Sequence, residues 1–254
     1  MTHPVRSVSH RPNTAGSPPR HAGQPLKGVR ILDAFCCIGG AARGYLDLGA
    51  HLTGVDIARQ PDYCGHEFIQ ADAVAFIAEH GHRFHFIHTS PPCQGEGAPT
   101  KGSNAARNAA AGRTHPRLIG PARAALETTG RPYVIENVAG STVRKDLRLC
   151  GEMFGLGVIM HRYFECGGGF TITQPPHPRH RGRVRGWRHG VYYDGPYVAA
   201  YGNGGGKATV AEMQHAKGID WSTDHLGLRE ALPPAYTRFV GAAIPTALDH
   251  RKAA

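Results

Sequence analysis

The chain lacks any paired-cysteine motif. Its six cysteines (Cys36, Cys37, Cys64, Cys93, Cys150 and Cys166) include no Cys-x-x-Cys, which argues against a disulfide framework and a structural zinc site. Cys64 and His66 lack the further partners that a shared metal would need. Long apolar runs are also missing. The longest are strand-sized, which excludes a transmembrane helix, and the N-terminus has basic residues without the apolar centre of a signal peptide. The expectation is a cytoplasmic protein.

Acids are absent from two stretches. Residues 1–30 carry Arg6, Arg11, Arg20, Lys27 and Arg30, and residues 177–190 carry Arg179, Arg181, Arg183, Arg185 and Arg188, with no Asp or Glu in either. Elsewhere basic and acidic residues cancel, so the net charge of +10 sits on two attachments to a neutral body. That is the electrostatic footprint of a nucleic-acid partner. Residues 1–27, with five prolines among Ser, His and Gly, read as a disordered basic tail.

What is present suits one medium domain with a small addition: 254 residues, 41% of them hydrophobic. Residues 29–35 read as a first strand, broken by Cys36-Cys37-Ile38-Gly39-Gly40 before a helix that Gly49 ends. Strand, glycine turn and helix in that order cradle an anionic or zwitterionic ligand. A second strand, residues 51–56, ends in Asp56, 23 positions after Asp33. At that spacing such folds set a carboxylate on ribose hydroxyls. A third, residues 67–72, ends in Asp72, which also suits a helix N-cap. Helix 116–128 then leads to a buried strand at residues 132–138 that carries Glu136.

Between these, the apolar run at residues 84–88 leads into Thr89-Ser90-Pro91-Pro92-Cys93-Gln94-Gly95. This places Cys93 just beyond a buried strand, on a turn whose prolines fix φ. Ligands of open α/β sheets bind at that edge. A thiol held there is positioned as a nucleophile; taken alone it also fits a small buried hydrophobe. Glu136, at the matching edge, is placed to be partly desolvated and to donate a proton or hydrogen bond, or else to pair with an arginine.

These residues spell a pattern: Asp33-Ala34-Phe35-Cys36-Cys37-Ile38-Gly39-Gly40, Pro91-Pro92-Cys93-Gln94, Glu136-Asn137-Val138, His161-Arg162-Tyr163-Phe164-Glu165 and Pro233-Pro234-Ala235-Tyr236. In this order the chain resembles the DNA cytosine-5 methyltransferases, especially short phage-type members, over residues 28–166 and 226–248. The resemblance implies a Rossmann-like α/β fold with a doubly wound, mostly parallel sheet in a catalytic domain at residues 28–166. A small irregular target-recognition insertion would follow at 167–225, and a C-terminal helix would return at 226–254.

The resemblance also implies S-adenosylmethionine as cofactor, held by Asp33, Phe35, Cys36, Ile38, Gly39 and Gly40 in the first loop. Asp56 and Ile57, Asp72 and Ala73, and Pro91 would complete that site. Cys93 would add to carbon 6 of a flipped cytosine, Glu136 would bond N3 and the exocyclic amine, Arg162 would hold O2, and Asn137 would brace the cysteine loop. Double-stranded DNA would lie against Gln94, Arg179, Arg181, Arg183, Arg185, Arg188 and Trp187, with the chain a monomer that needs no metal. Cys37 stands where the family usually has glycine, and Met160 where it has the first arginine of Arg-x-Arg. An RNA cytosine methyltransferase, a variant methyl donor and a non-catalytic DNA-binding relative fit the same motifs.

Overall fold

The computed structural model describes residues 23–93, 116–201 and 208–253. Gln94, the tail before residue 23 and the glycine-rich run Gly202-Asn203-Gly204-Gly205-Gly206 lie outside them. Seven strands form one sheet: β1 (Arg30–Ala34), β2 (His51–Asp56), β3 (Glu67–Gln70), β4 (Phe86–Thr89), β5 (Tyr133–Asn137), β6 (Leu147–Leu149) and β7 (Arg162–Gly167). Their order is β3-β2-β1-β4-β5-β7-β6. β1 to β5 pair in parallel, and β7 runs antiparallel between β5 and β6.

The near-continuous apolar strands are buried on both faces, as a sheet wound with helices on each side requires. Successive residues point to opposite faces. Ile31 and Phe86 join one cluster with Tyr45, Phe164 and Tyr236, while Leu32 and Ile87 join the other with Val55, Ile77, Leu126 and Ile135. Helix α1 (Gly40–Leu46) covers the first face, and α2 (Ala73–His80) and α3 (Ile119–Thr129) cover the second. The order reverses between β1 and β4, so the loops after these strands open onto one crevice.

Three boundaries differ from the sequence reading. Residues 23–27 are docked rather than loose, because Leu26 is fully buried and its N–H donates to the Leu48 carbonyl at 3.0 Å. The insertion is not wholly irregular. It forms a hairpin, β8 (Gly186–Arg188) and β9 (Val191–Tyr193), and a helix α4 (Val210–Lys217) closed by a Thr209–Glu212 capping box. α4 also closes a third apolar cluster that includes Ile38, Val158, Met160, Met213 and Leu228.

In place of one returning helix there are three: α5 (His225–Glu230), α6 (Pro234–Ala242) and α7 (Ile244–Ala253). α6 lies against α1 at a glycine. A Cβ on Gly44 would stand 2.2 Å from the Pro234 carbonyl oxygen, and the Thr237 hydroxyl donates to the Ala41 carbonyl at 2.8 Å. Backbone-to-backbone approach of this kind leaves no room for a side chain.

Candidate active site

β1 hands the chain to α1 through a strained loop. Phe35 and Cys37 both take left-handed backbone, at φ 59° and 48°, which costs a non-glycine residue about 1–2 kcal/mol each. The loop is held by the Phe35 and Cys36 N–H groups, both donating to the Val55 carbonyl at 2.8 and 3.2 Å. Gly39, at φ 85°, then caps α1. A Cβ there would come within 2.8 Å of the Cys64 sulfur. At Cys37 a glycine would take the same left-handed turn without that cost.

Carboxylates line the same edge. Asp56 Oδ2 accepts from the Cys37 N–H at 3.1 Å and Oδ1 from the Ala58 N–H at 2.9 Å, so it ties the loop and keeps lone pairs to spare. Asp72 caps α2 by accepting from the Ala75 N–H at 2.9 Å, and β3 stops two residues before it, at Gln70. Ala73 is buried beside it and Ile57 is exposed. Asp33 is buried, and neither of its carboxylate oxygens has a hydrogen-bond partner. Burial holds its carboxyl well above the usual range, and the nearby Asp56 charge adds to this. The Ala42 N–H opposes the shift without completing a hydrogen bond.

At the next edge, Pro91 is buried while Cys93 faces solvent. Asn137 Nδ2 donates to the Pro91 carbonyl at 2.8 Å, and its Oδ1 accepts from the Val138 N–H at 2.9 Å, so the end of β5 fastens the cysteine loop. Glu136 is buried, and Arg162, the first residue of β7, sets Nε 2.9 Å from Glu136 Oε1. That oxygen has a charge partner but makes no hydrogen bond. Burial raises the Glu136 carboxyl, against Arg162, the Ser90 hydroxyl and Lys217, which all pull it down. Surrounding protein also raises the Cys93 thiol; the Arg162 charge opposes this and the Glu136 charge reinforces it. Cys93, Glu136 and Arg162 therefore act on one another electrostatically.

Residues that the sequence reading passed over stand behind this group. Tyr45 Oη lies 2.9 Å from His88 Nδ1, and His88 Nε2 lies 3.0 Å from Ser90 Oγ, so a buried chain runs from the core to the hydroxyl that helps pull the Glu136 carboxyl down. Burial lowers His88 to about 3, which keeps it neutral. The signal was a histidine inside an apolar strand, where an imidazole needs partners. Lys217, also buried, donates from Nζ to the carbonyls of Leu228, Arg229 and Ala231, at 2.6, 3.1 and 2.9 Å, fixing the turn after α5. Glu230, the exposed last residue of α5, adds negative charge near both Cys37 and Cys93. Met160 is buried in the third cluster, so an arginine does not suit its place.

The arginine cluster is not the free comb that the sequence suggests. Arg181 pairs with Glu152, Nε to Oε1 at 3.1 Å, and lies over the Tyr197 ring. Arg185 pairs with Glu212 of α4. Both acids lie outside the arginine-bearing segment, which is why local charge counting missed them. Arg183 stacks on Tyr193 at 4.6 Å, Arg179 is exposed, and Trp187 is 69% exposed in edge contact with Tyr192 across the hairpin. Arg188 lies in β8.

No family model and no curated protein matches the chain. Among solved structures, the S. pombe Dnmt2 methyltransferase is similar at 16% identity over 54% of this chain and 48% of that one, with a TM-score of 0.38. The 1,6-didemethyltoxoflavin-N1-methyltransferase of Burkholderia thailandensis is similar at 15% identity, covering 54% and 53%, with a TM-score of 0.30. A SAM-dependent methyltransferase from Agrobacterium tumefaciens follows at 17% identity, covering 44% and 39%, with a TM-score of 0.27. The chain thus spans about two fifths to a half of the length of these structures. The fold rests on the sheet itself: doubly wound, mostly parallel, with its crevice at the β1/β4 reversal, it is a Rossmann-like α/β fold.

Proposed function

We propose that this chain transfers a methyl group from S-adenosylmethionine to carbon 5 of a cytosine turned out of duplex DNA, through a covalent bond between the Cys93 sulfur and carbon 6. The observation that carries this reading is the group at the edges of β4 and β5. A cysteine on a loop fastened by Asn137 stands in the field of a buried carboxyl whose Oε1 is charge-paired with Arg162 yet free to accept a hydrogen bond.

The residues around the first loop fit the cofactor. Asp33 is a buried carboxyl without a hydrogen-bond partner, which an amine-bearing cation satisfies, and Asp56 keeps acceptor capacity for ribose hydroxyls. Exposed Ile57 offers an apolar surface to a ring. When bound, S-adenosylmethionine supplies an electrophilic methyl group.

Cytosine carbon 5 is a poor nucleophile while the ring stays conjugated, so the enzyme must break that conjugation. The Cys93 thiol gives up its proton to water, its sulfur bonds carbon 6, and the displaced electron pair gives an enamine with its nucleophilic end at carbon 5. Glu136, its carboxyl raised by burial, hydrogen-bonds N3 and the amine where charge develops, and Arg162 holds O2. Loss of the carbon-5 proton to water after methylation returns an electron pair to the ring and expels the Cys93 thiolate. Arg179, Arg183 and Trp187 support a nucleic-acid substrate on the insertion, the guanidiniums for phosphates and the indole for a base face. Such chemistry requires the base outside the duplex.

Nucleoside mass spectrometry of duplex DNA and of tRNA, each incubated with the protein and S-adenosylmethionine, tests the reading. 5-Methylcytosine in the DNA alone is expected. Methylation confined to tRNA, or in neither, overturns it.

A further inference from the structure

Away from the candidate active site, four side chains that no cysteine motif announces converge on one point. Cys150 Sγ and the ring nitrogens of His161, His177 and His180 offer ligand atoms that all lie within 4.8 Å of one another. The sheet register creates half of the cluster. Leu149, at the end of β6, pairs with Arg162, at the start of β7, so the neighbouring Cys150 and His161 come off adjacent strands side by side. The other half comes from His177-Pro178-Arg179-His180, in a stretch from 171 to 183 that holds no helix or strand.

Tetrahedral zinc, with Zn–N near 2.0–2.1 Å and Zn–S near 2.3 Å, sets neighbouring ligand atoms roughly 3.3–3.6 Å apart. His161 Nε2 and His177 Nε2 stand 3.1 Å apart, and Cys150 Sγ and His180 Nε2 3.5 Å. Two edges of the tetrahedron are already near their bonded lengths. His177 Nδ1 also lies 2.7 Å from the Pro178 carbonyl. Donating there fixes the tautomer that leaves the Nε2 lone pair facing the cluster, as a metal-bound imidazole usually donates its other N–H to a carbonyl.

We infer that Cys150, His161, His177 and His180 bind one zinc ion, a closed four-ligand site that pins the arginine-bearing segment of the insertion to the β6–β7 edge. Four protein ligands leave no open position, so the ion is structural and takes no part in the chemistry. Three imidazoles and one thiolate favour zinc over magnesium or calcium, which take oxygen ligands. The inference does not depend on the methyl-transfer reading. It revises the sequence argument, which looked for Cys-x-x-Cys and so overlooked one cysteine serving with a His-x-x-His.

The test uses the full chain, purified without a polyhistidine tag from zinc-supplemented cells, with metal measured by plasma mass spectrometry. About one zinc per chain is expected, lost in Cys150→Ser and His180→Ala and kept in Cys64→Ser. Since loss of the metal can unfold those variants, the wild-type apo-protein is titrated with cobalt(II). Tetrahedral d–d bands with a thiolate charge-transfer band are expected. Folded wild-type protein that holds no zinc and gives no such spectrum overturns the inference, as does zinc that persists in folded Cys150→Ser. Methylation assays on the same samples report separately on the active site.

Discussion

Glu136→Gln separates stability from function at this site. Arg162 Nε lies 2.9 Å from Glu136 Oε1, where two charges attract by about 5–6 kcal/mol at an effective dielectric near 20. Burying each ion costs several kcal/mol in return. Burial, the largest influence on Glu136, leaves its carboxyl above the usual range despite Arg162, so desolvation wins. Removing the charge then relieves a penalty, while Arg162 keeps a hydrogen bond from Nη1 to the His161 carbonyl at 3.0 Å and some contact with water. Urea unfolding should place the variant within about 1 kcal/mol of wild type, or above it. Methyl transfer should fall by ~10²–10⁴. The sign of the pH dependence follows. A raised carboxyl binds its proton more tightly folded than unfolded, so wild type gains on the variant as pH falls through that raised value towards the ordinary carboxylate range. A variant that unfolds several kcal/mol more easily, or transfers at more than about a tenth of the wild-type rate, refutes the reasoning.

Four further outcomes follow from the geometry. Asp56→Ala should weaken S-adenosylmethionine binding roughly ten- to a hundred-fold by calorimetry, the worth of one charge-assisted pair at ~1.5–3 kcal/mol; unchanged affinity moves the cofactor elsewhere. Arg179→Ala with Arg183→Ala should flatten the log affinity against log salt plot for DNA by up to about two units, at ~0.9 per contact. Arg181→Ala or Arg185→Ala should instead lower the melting temperature, since each leaves a carboxylate, Glu152 or Glu212, without its partner. His88, held near 3 by burial, stays neutral while the unfolded chain protonates below its ordinary value. Wild-type stability should therefore fall as pH drops from about 6.5 towards 3, by at most about 1.4 kcal/mol per unit from this group. His88→Gln should flatten that slope in denaturant titrations across this range.

The parallel part of the fold was legible because its strands are continuous apolar runs and its turns carry glycine. β2 falls at residues 51–56 as read, and β1, β4 and β5 lie within two residues of expectation at each end. The insertion was harder to read because its structure is built from distant partners. Glu152 and Glu212 neutralise arginines 27–29 positions away, and α4 is ordered by burial against Ile38 and Leu228 rather than by a strong apolar stripe of its own. Leu26 was lost in a proline-rich stretch, since one buried leucine gives no periodicity. At the site, strand-end positions fell out of the sequence pattern. The buried chain behind Glu136 and the histidine cluster did not, since both depend on strand register, which composition does not reveal.

The covalent bond at Cys93 is the centre of the account, and a suicide substrate tests it directly. Duplex DNA bearing 5-fluorocytosine at the methylated position keeps a fluorine where the carbon-5 proton must leave, so the adduct cannot collapse. Incubated with the protein and S-adenosylmethionine, it should give a complex that survives denaturing electrophoresis. Peptide mapping should find the nucleotide on Cys93, and Cys93→Ala should form no such complex while still binding S-adenosylmethionine. Methylation of ordinary DNA without any trapped complex, or a complex mapped to another residue, contradicts the account.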